Sequence, residues 1–322
     1  MFQERTTALL KQGTPFFFLV DFAKQNQEVL TFGEAAAAGI FFNVKGTTNR
    51  NRPLAKKTTA KTIALQPNPI GLAAYRKAFD QVKWELGQGN SFLLNLTFAT
   101  PIAPNVPLKE IYDRAHAPFK LYYKDRFVVF SPESYFHIKG DHIHSHPMKG
   151  TISTDVPQAE QRLLENAKEM YEHNTIVDLI RNDLSMIAKN VEVTKFRYLE
   201  RIKSTTGEIL QTSSEIKGRL PADWKDHFAD LLLKTLPAGS ISGAPKKKTM
   251  DIIAAAETSA RGFYTGIFGV FDGENLASAV NIRYIEKKKG QHYFRSGGGI
   301  THLSQLEEEY EELNHKIYVP TF

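Results

Sequence analysis

Apolar residues follow two rhythms along this chain. Short dense runs over 16–22, 29–32 and 40–44, each bounded by polar residues, predict strands. From 70 to 86, Leu72, Tyr75, Phe79 and Val82 recur at three- and four-residue steps, which predicts a helix closed by Gly87 and Gly89. Strands are predicted over 91–100, over 127–130 and 135–139 as a pair around Ser131-Pro132-Glu133-Ser134, and over 142–145. Asp155, with Pro157 in its first turn, predicts the start of a long helix over 155–189. Strands over 266–271, 277–285 and 293–296 follow, and a last helix is predicted from Ser304, with Glu307 completing a capping box. Residues 1–60 read as strands and turns, with a polar, basic link over 43–60. The pattern is mixed α and β (α+β), without internal repeats, and is expected to form one domain over 1–322.

Composition narrows the classes. With 42% hydrophobic and 24% charged residues, the chain has the balance of a globular protein rather than a disordered or fibrous one. A formal charge of +6, with no aromatic-interleaved basic stretch or zinc-finger spacing, favours a solvated surface or a small anionic substrate over nucleic acid. The apolar run at 16–20 is far short of the ~20 residues of a membrane span or the ~7–15 of a signal-peptide core, so a cytoplasmic protein with no membrane partner is expected. The lack of cysteine removes disulfides, thiolate metal sites and any cysteine-dependent glutaminase within this chain.

Two predicted helices carry carboxylates at i, i+3. Glu169 and Glu172 lie beside an apolar stripe continued by Ile176 and Leu179, and Glu309 and Glu312 are followed by Lys316. Such pairs offer hard oxygen ligands for Mg2+, and an acidic run such as 307–312 is equally what a solvated helix face carries. His142, His144 and His146 share a strand face, but their ~6.5 Å steps are wide for a single ion. Neither glycine-rich stretch is a nucleotide motif: 239–246 lacks Gly-Lys-Ser/Thr, and 296–299 lacks dinucleotide spacing. Gly297, Gly298 and Gly299 after a strand can instead offer N–H groups to a carboxylate, and Pro245 with Lys246 makes an electropositive helix start.

Taken in order, five motifs resemble the chorismate-utilising enzymes, which include component I of anthranilate and aminodeoxychorismate synthases and the isochorismate and salicylate synthases. They are Glu172-His173-Asn-Thr-Ile-Val-Asp178-Leu-Ile-Arg181-Asn182-Asp183, Leu236-Pro-Ala-Gly-Ser240-Ile-Ser-Gly-Ala-Pro-Lys246, Arg261-Gly-Phe-Tyr264-Thr-Gly266, Asn281-Ile-Arg283, and Gly297-Gly-Gly-Ile300 with Glu309-Tyr-Glu-Glu312 and Lys316. The resemblance spans about 69–318, with 1–60 as a shortened N-terminal part. It implies two large, mainly antiparallel sheets packed together with outer helices, an anthranilate synthase component I-like fold. It further implies Mg2+ held through Glu172 and Glu312 with Glu169 and Glu309 beside them. Arg283 and Tyr264 would take the enolpyruvyl carboxylate of chorismate, and Mg2+, the glycine amides and Lys316 the ring carboxylate. Gly150, Thr151, Gln211 and Ser240 would complete the substrate contacts.

The turn Pro147-Met148-Lys149-Gly150-Thr151 resembles the lysine-bearing form found in aminodeoxychorismate synthases, where anthranilate synthases carry alanine. That form implies Lys149 as nucleophile at ring C2, Glu133 as general acid, and ammonia from a partner glutamine amidotransferase. An amine near pKa 10.4 is almost wholly protonated at neutral pH, so desolvation and a nearby cation are expected to lower it. Two positions depart from the pattern. Leu93 stands where ammonia-using members have Gln and water-using members a Lys base, and Gln211 stands where many members have His.

Overall fold

The computed structural model describes residues 1–50, 62–204 and 207–321; most of the predicted polar link, 51–60, lies outside the described residues. The chain forms two antiparallel sheets. In the first, the long strand Gly207–Arg219 pairs with Lys189–Ser204 on one edge and with Met148–Ser153 and His142–Ser145 along the other. That sheet continues through Ser134–Lys139, Leu276–Val280, Ile267–Phe271 and Phe16–Val20 to Gln27–Thr31. The second runs from Gly243–Ala244 through Leu93–Ile102, Gln291–Ile300, Tyr284–Lys288, Phe127–Ser131, Phe119–Tyr123 and Ile40–Val44 to Thr47–Thr48.

Phe16–Val20 shows why the sheets pack. All five side chains are buried, because alternate residues serve different cores. Phe17 and Leu19 join Phe42, Leu121, Phe127 and Val129 of the other sheet, with Phe17 stacked on Phe42 at 5.2 Å. Phe16 and Phe18 face helices, and Phe18 meets Phe228 edge-on. A third cluster covers the far side of the second sheet with Leu108, Ile111 and Tyr112 from the helix Leu108–Arg114.

Several predicted elements differ in detail, and the differences build the site. Strands 127–130 and 135–139 do not pair: Phe127–Ser131 and Ser134–Lys139 belong to different sheets, so the turn carrying Glu133 crosses between them. The predicted strand over 277–285 is likewise two strands, Leu276–Val280 and Tyr284–Lys288, on different sheets. Its crossover holds Asn281 and Arg283, the latter at φ +51°, a conformation uncommon for a non-glycine residue. The long helix breaks at Asn166 into Ala159–Glu165 and Ala167–Ser185, because the Asn166 side chain accepts the Glu169 N–H as an N-cap.

The last helix runs over Leu306–His315, two residues later than predicted. Ser304 does not cap it; its hydroxyl donates to Glu309 instead. Gly297, Gly298 and Gly299 lie inside Gln291–Ile300, in register with Thr97, Leu96 and Asn95, rather than in a loop after a strand. Helices Phe2–Lys11 and Phe32–Ala37 replace part of the expected N-terminal strand-and-turn region. The first is held by the Lys11–Asp226 ion pair at 2.5 Å and a bond from the Thr7 hydroxyl to the Asp226 carbonyl.

Candidate active site

A cavity of about 220 Å³ opens where the two crossovers meet the helices Ala167–Ser185 and Leu306–His315. Glu133, Lys149, Glu172, Ser240, Tyr264, Arg283, Gly297, Gly299 and Lys316 line it, so residues distant in sequence share one chamber. Gly150, Thr151, Gln211 and Gly298 do not line it, nor do Glu169, Glu309 and Glu312. Thr151 pairs across the sheet with Gln211, whose side chain reaches Ser213 at 3.5 Å. Gly150, at φ +86°, sits beside Glu169, where an added Cβ would lie 3.0 Å from the carboxylate.

The crossover wall is set by backbone bonds. The Val280 N–H donates to the Glu133 carbonyl at 3.2 Å and the Phe130 N–H to the Arg283 carbonyl at 3.1 Å. Ser240, on the short helix Gly239–Ser242, donates to Glu133 Oε1 at 2.8 Å. That helix is in turn held by Asp183, which accepts from the Gly239 N–H and pairs with Lys246 at 2.7 Å. Asp183 and Lys246 therefore act as a brace, and the electropositive helix start predicted at Pro245 turns its first lysine inward. Arg261 is another brace. It is buried on Glu257 and donates to the carbonyls of Ile241 and Asn95.

Burial pushes the Glu133 carboxyl above the usual carboxylate range, against the Ser240 hydrogen bond and the charges of Lys149, Lys316 and Arg283. A carboxyl shifted upward in this way is better suited than an ordinary one to give up a proton near neutral pH. Among the described residues, the Arg283 guanidinium has no hydrogen bond or ion pair; it lies over the Tyr318 ring, 5.2 Å from centroid. The other cavity arginine, Arg295, is committed to Glu286, Ser259 and the Ala260 carbonyl.

The opposite wall is held by charge. Lys149 Nζ lies 2.6 Å from Glu172, and Lys316 Nζ lies 2.6 Å from Glu312 while donating to the Gly297 carbonyl at 2.7 Å. Lys168 Nζ lies 3.7 Å from the buried Glu309. Burial pulls the Lys149 ammonium down, but Glu172, Glu312 and Glu169 outweigh it and the net shift is upward. The expected lowering of Lys149 is thus reversed here by its carboxylate neighbours, whereas burial does lower Lys316. Burial raises Glu169 and Glu309, and neighbouring carboxylates add to the rise.

Four carboxylates on two helices, two of them raised by burial with the other carboxylates adding, form a donor set suited to a hard divalent cation, with lysine ammonium groups supplying the positive charge. As they stand, no three acidic, histidine or cysteine side chains among the described residues converge to hold an ion. That covers the histidine face as well, where the rings of His144, His137 and His146 stack instead.

Wall residues that sequence reasoning left aside include Asn95 and Ser296, whose buried side-chain oxygens have no hydrogen-bond partner. Asn95 carries a sequence signal, a polar residue at a cavity-facing position within an apolar strand; Ser296 carries none. Leu93 also lines the cavity and fills the space over Gly299.

Comparison with known proteins bears on the family and the fold. The family described as chorismate binding enzyme matches residues 17–321. A PabA-like protein of Pasteurella multocida is 53% identical over 310 residues, covering 96% of this chain and 95% of the relative. Aminodeoxychorismate synthase component 1 of Salmonella typhimurium is 29% identical over 93% of this chain, which spans 66% of that protein's length. The structure of anthranilate synthase component I from Streptococcus pneumoniae superposes with a TM-score of 0.66 at 26% identity, covering 80% of this chain and 59% of that one. Its fold is the one described here: two antiparallel sheets with outer helices. No helix among the described residues is long and apolar enough to cross a membrane. This chain is a member of the chorismate-binding enzyme family.

Proposed function

We propose that the chain is the aminodeoxychorismate synthase component I of its organism, converting chorismate and ammonia to 4-amino-4-deoxychorismate. The observation that carries this reading is a lysine and a buried carboxyl in one cavity: Lys149, and Glu133, whose pKa burial raises. Arg283 and Tyr264 offer an unpaired guanidinium and a hydroxyl without a partner among the described residues, which suits one substrate carboxylate.

In the proposed reaction, the neutral Lys149 amine forms a bond to ring C2. The ring double bonds shift toward C4, and the C4–O bond breaks as Glu133 protonates the departing hydroxyl, releasing water. Ammonia then bonds to C4, the double bonds shift back, and the C2–N bond breaks to return Lys149 as an amine. The Glu133 carboxylate takes the surplus proton from the added nitrogen. Lys149 must leave Glu172 before it can act, since that ion pair keeps its nitrogen protonated. Glu172 and Glu312, with Glu169 and Glu309 beside them, would hold Mg2+, whose charge neutralises these carboxylates and attracts the ring carboxylate of the substrate. Without cysteine the chain cannot draw ammonia from glutamine by thiol chemistry, so a partner amidotransferase would supply it.

Chromatography with mass spectrometry on chorismate, Mg2+ and ammonium tests this. Aminodeoxychorismate is expected from the wild type, with a loss of at least ~10³-fold in Lys149→Ala. Anthranilate as the product would overturn the assignment.

A further inference from the structure

Past Lys316 the chain does not continue its helix. Residues 317–320 fold back along the second sheet, and the His116 N–H donates to the Pro320 carbonyl at 2.7 Å. Ile317 and Val319 pack on the third core cluster, and Tyr318, between them, is 46% exposed on the other side. The Tyr318 ring lies against the guanidinium of Arg283, 5.2 Å from centroid, and is not part of the cavity wall. Arg283 approaches from the opposite direction in sequence, on a crossover whose backbone is fixed at φ +51°.

That backbone places the start of the side chain, but among the described residues no hydrogen bond or ion pair holds its end. A guanidinium without a carboxylate partner turns freely, and a freely turning fork loses entropy on binding a planar anion. An aromatic face against its plane removes that freedom and leaves the N–H edge open.

We propose that Tyr318 is a positioning residue for anion recognition, its ring holding the Arg283 guanidinium so that the N–H edge meets a carboxylate of the substrate. The inference rests on the reading of Arg283 as a substrate-carboxylate ligand. It adds that the tail beyond Lys316, anchored by Ile317, Val319 and Pro320, belongs to the binding apparatus.

The test is calorimetric titration of the full chain with chorismate in the presence of Mg2+. Tyr318→Leu is expected to weaken binding about 3- to 10-fold, from the loss of one cation–π contact. Tyr318→Phe and Tyr318→Trp, which keep a ring, are expected to bind within about 2-fold of wild type. In an Arg283→Gln background, Tyr318→Leu should add nothing, because the group it positions is gone.

Wild-type affinity in Tyr318→Leu would overturn the proposal. So would equal weakening in Tyr318→Phe, or the same loss with and without Arg283. If Tyr318→Leu does not fold, Tyr318→Met, which keeps a long apolar side chain without a ring, replaces it in the same titration with the same expected loss. These binding outcomes are separate from product identity. Anthranilate from the wild type would end the proposed reaction and leave the Tyr318 result standing; a silent Tyr318→Leu alongside aminodeoxychorismate would do the reverse.

Discussion

The two walls of the cavity are built on different principles. On the crossover side, Glu133 and Arg283 are placed by backbone: each sits where the chain leaves one sheet for the other, and each carbonyl accepts an N–H from a neighbouring strand. On the helix side, Lys149, Glu172, Glu312 and Lys316 are placed by one another in ion pairs of 2.6 Å. Backbone bonds are directional and keep one geometry, whereas ion pairs exchange partners when another charge arrives. The molecule thus fixes the backbone of Glu133 and Arg283, the proposed acid and anion-binding arginine, and keeps Lys149 and the carboxylates in an arrangement that a cation or a substrate carboxylate could re-sort.

The sharpest break of this contrast is Glu133→Gln. The glutamine should keep the Ser240 contact but cannot give a proton, so turnover is expected to fall ~10²–10⁴-fold with chorismate binding little changed. The pH profile gives the sign. The raised Glu133 pKa keeps the acid form available at higher pH than an ordinary carboxyl; because the neutral Lys149 amine gains with pH while the Glu133 acid is lost, turnover should climb and then level off as pH rises through that value. A rate that goes on climbing undiminished through the same window would remove Glu133 as the acid.

Arg283→Gln comes next, with binding weakened about 10- to 100-fold by loss of a charge-assisted pair and little change in melting temperature, since no protein carboxylate loses its partner. Mg2+ addition probes the other wall. Calorimetric melting should show stabilisation of about 2.7 kcal/mol at 100 times the dissociation constant, and a Glu172→Gln, Glu312→Gln double variant should show none. Stabilisation that survives in the double variant would place the cation elsewhere.

The contrast also explains what was legible in the sequence. The helix-side charges announce themselves by spacing, because i, i+3 carboxylates share a helix face whatever the tertiary fold, and both pairs lie on helices. The crossover wall is legible only as segments. A strand pair around 131–134 and one strand over 277–285 are the natural local readings, since apolar alternation is blind to which sheet a strand joins. The break at Asn166 is a capping event within a helical pattern, and polarity alone hides it. Helix Phe2–Lys11 was missed because buried Thr6 sits in its apolar stripe beside Leu9 and Leu10 and blurs the period. The sign of the Lys149 shift depends on Glu172 at 2.6 Å, a distance no spacing encodes.

The smallest expected effect lies just behind the fixed wall. The strand Ser134–Lys139 leaves Glu133 and carries His137, whose ring lies between those of His144 and His146 at 4.8 and 5.1 Å, each within 3° of parallel. His146 also lines the cavity, so the stack backs the crossover wall. Burial, then the charges of His146, His144, Lys45 and Lys139, push the His137 pKa down to about 3, and its buried Nδ1 has no hydrogen-bond partner. A histidine lowered in the folded state adds stability that is complete above its unfolded value near 6.5 and is lost as pH falls toward the folded value. His137→Phe keeps an aromatic ring in the stack and removes the proton site. Between pH 7 and pH 5, the wild-type melting temperature should therefore drop about 1–3 °C further than that of the variant. Equal drops would show that the stack is indifferent to protonation, and that the fixed wall owes its geometry to the crossover backbone alone.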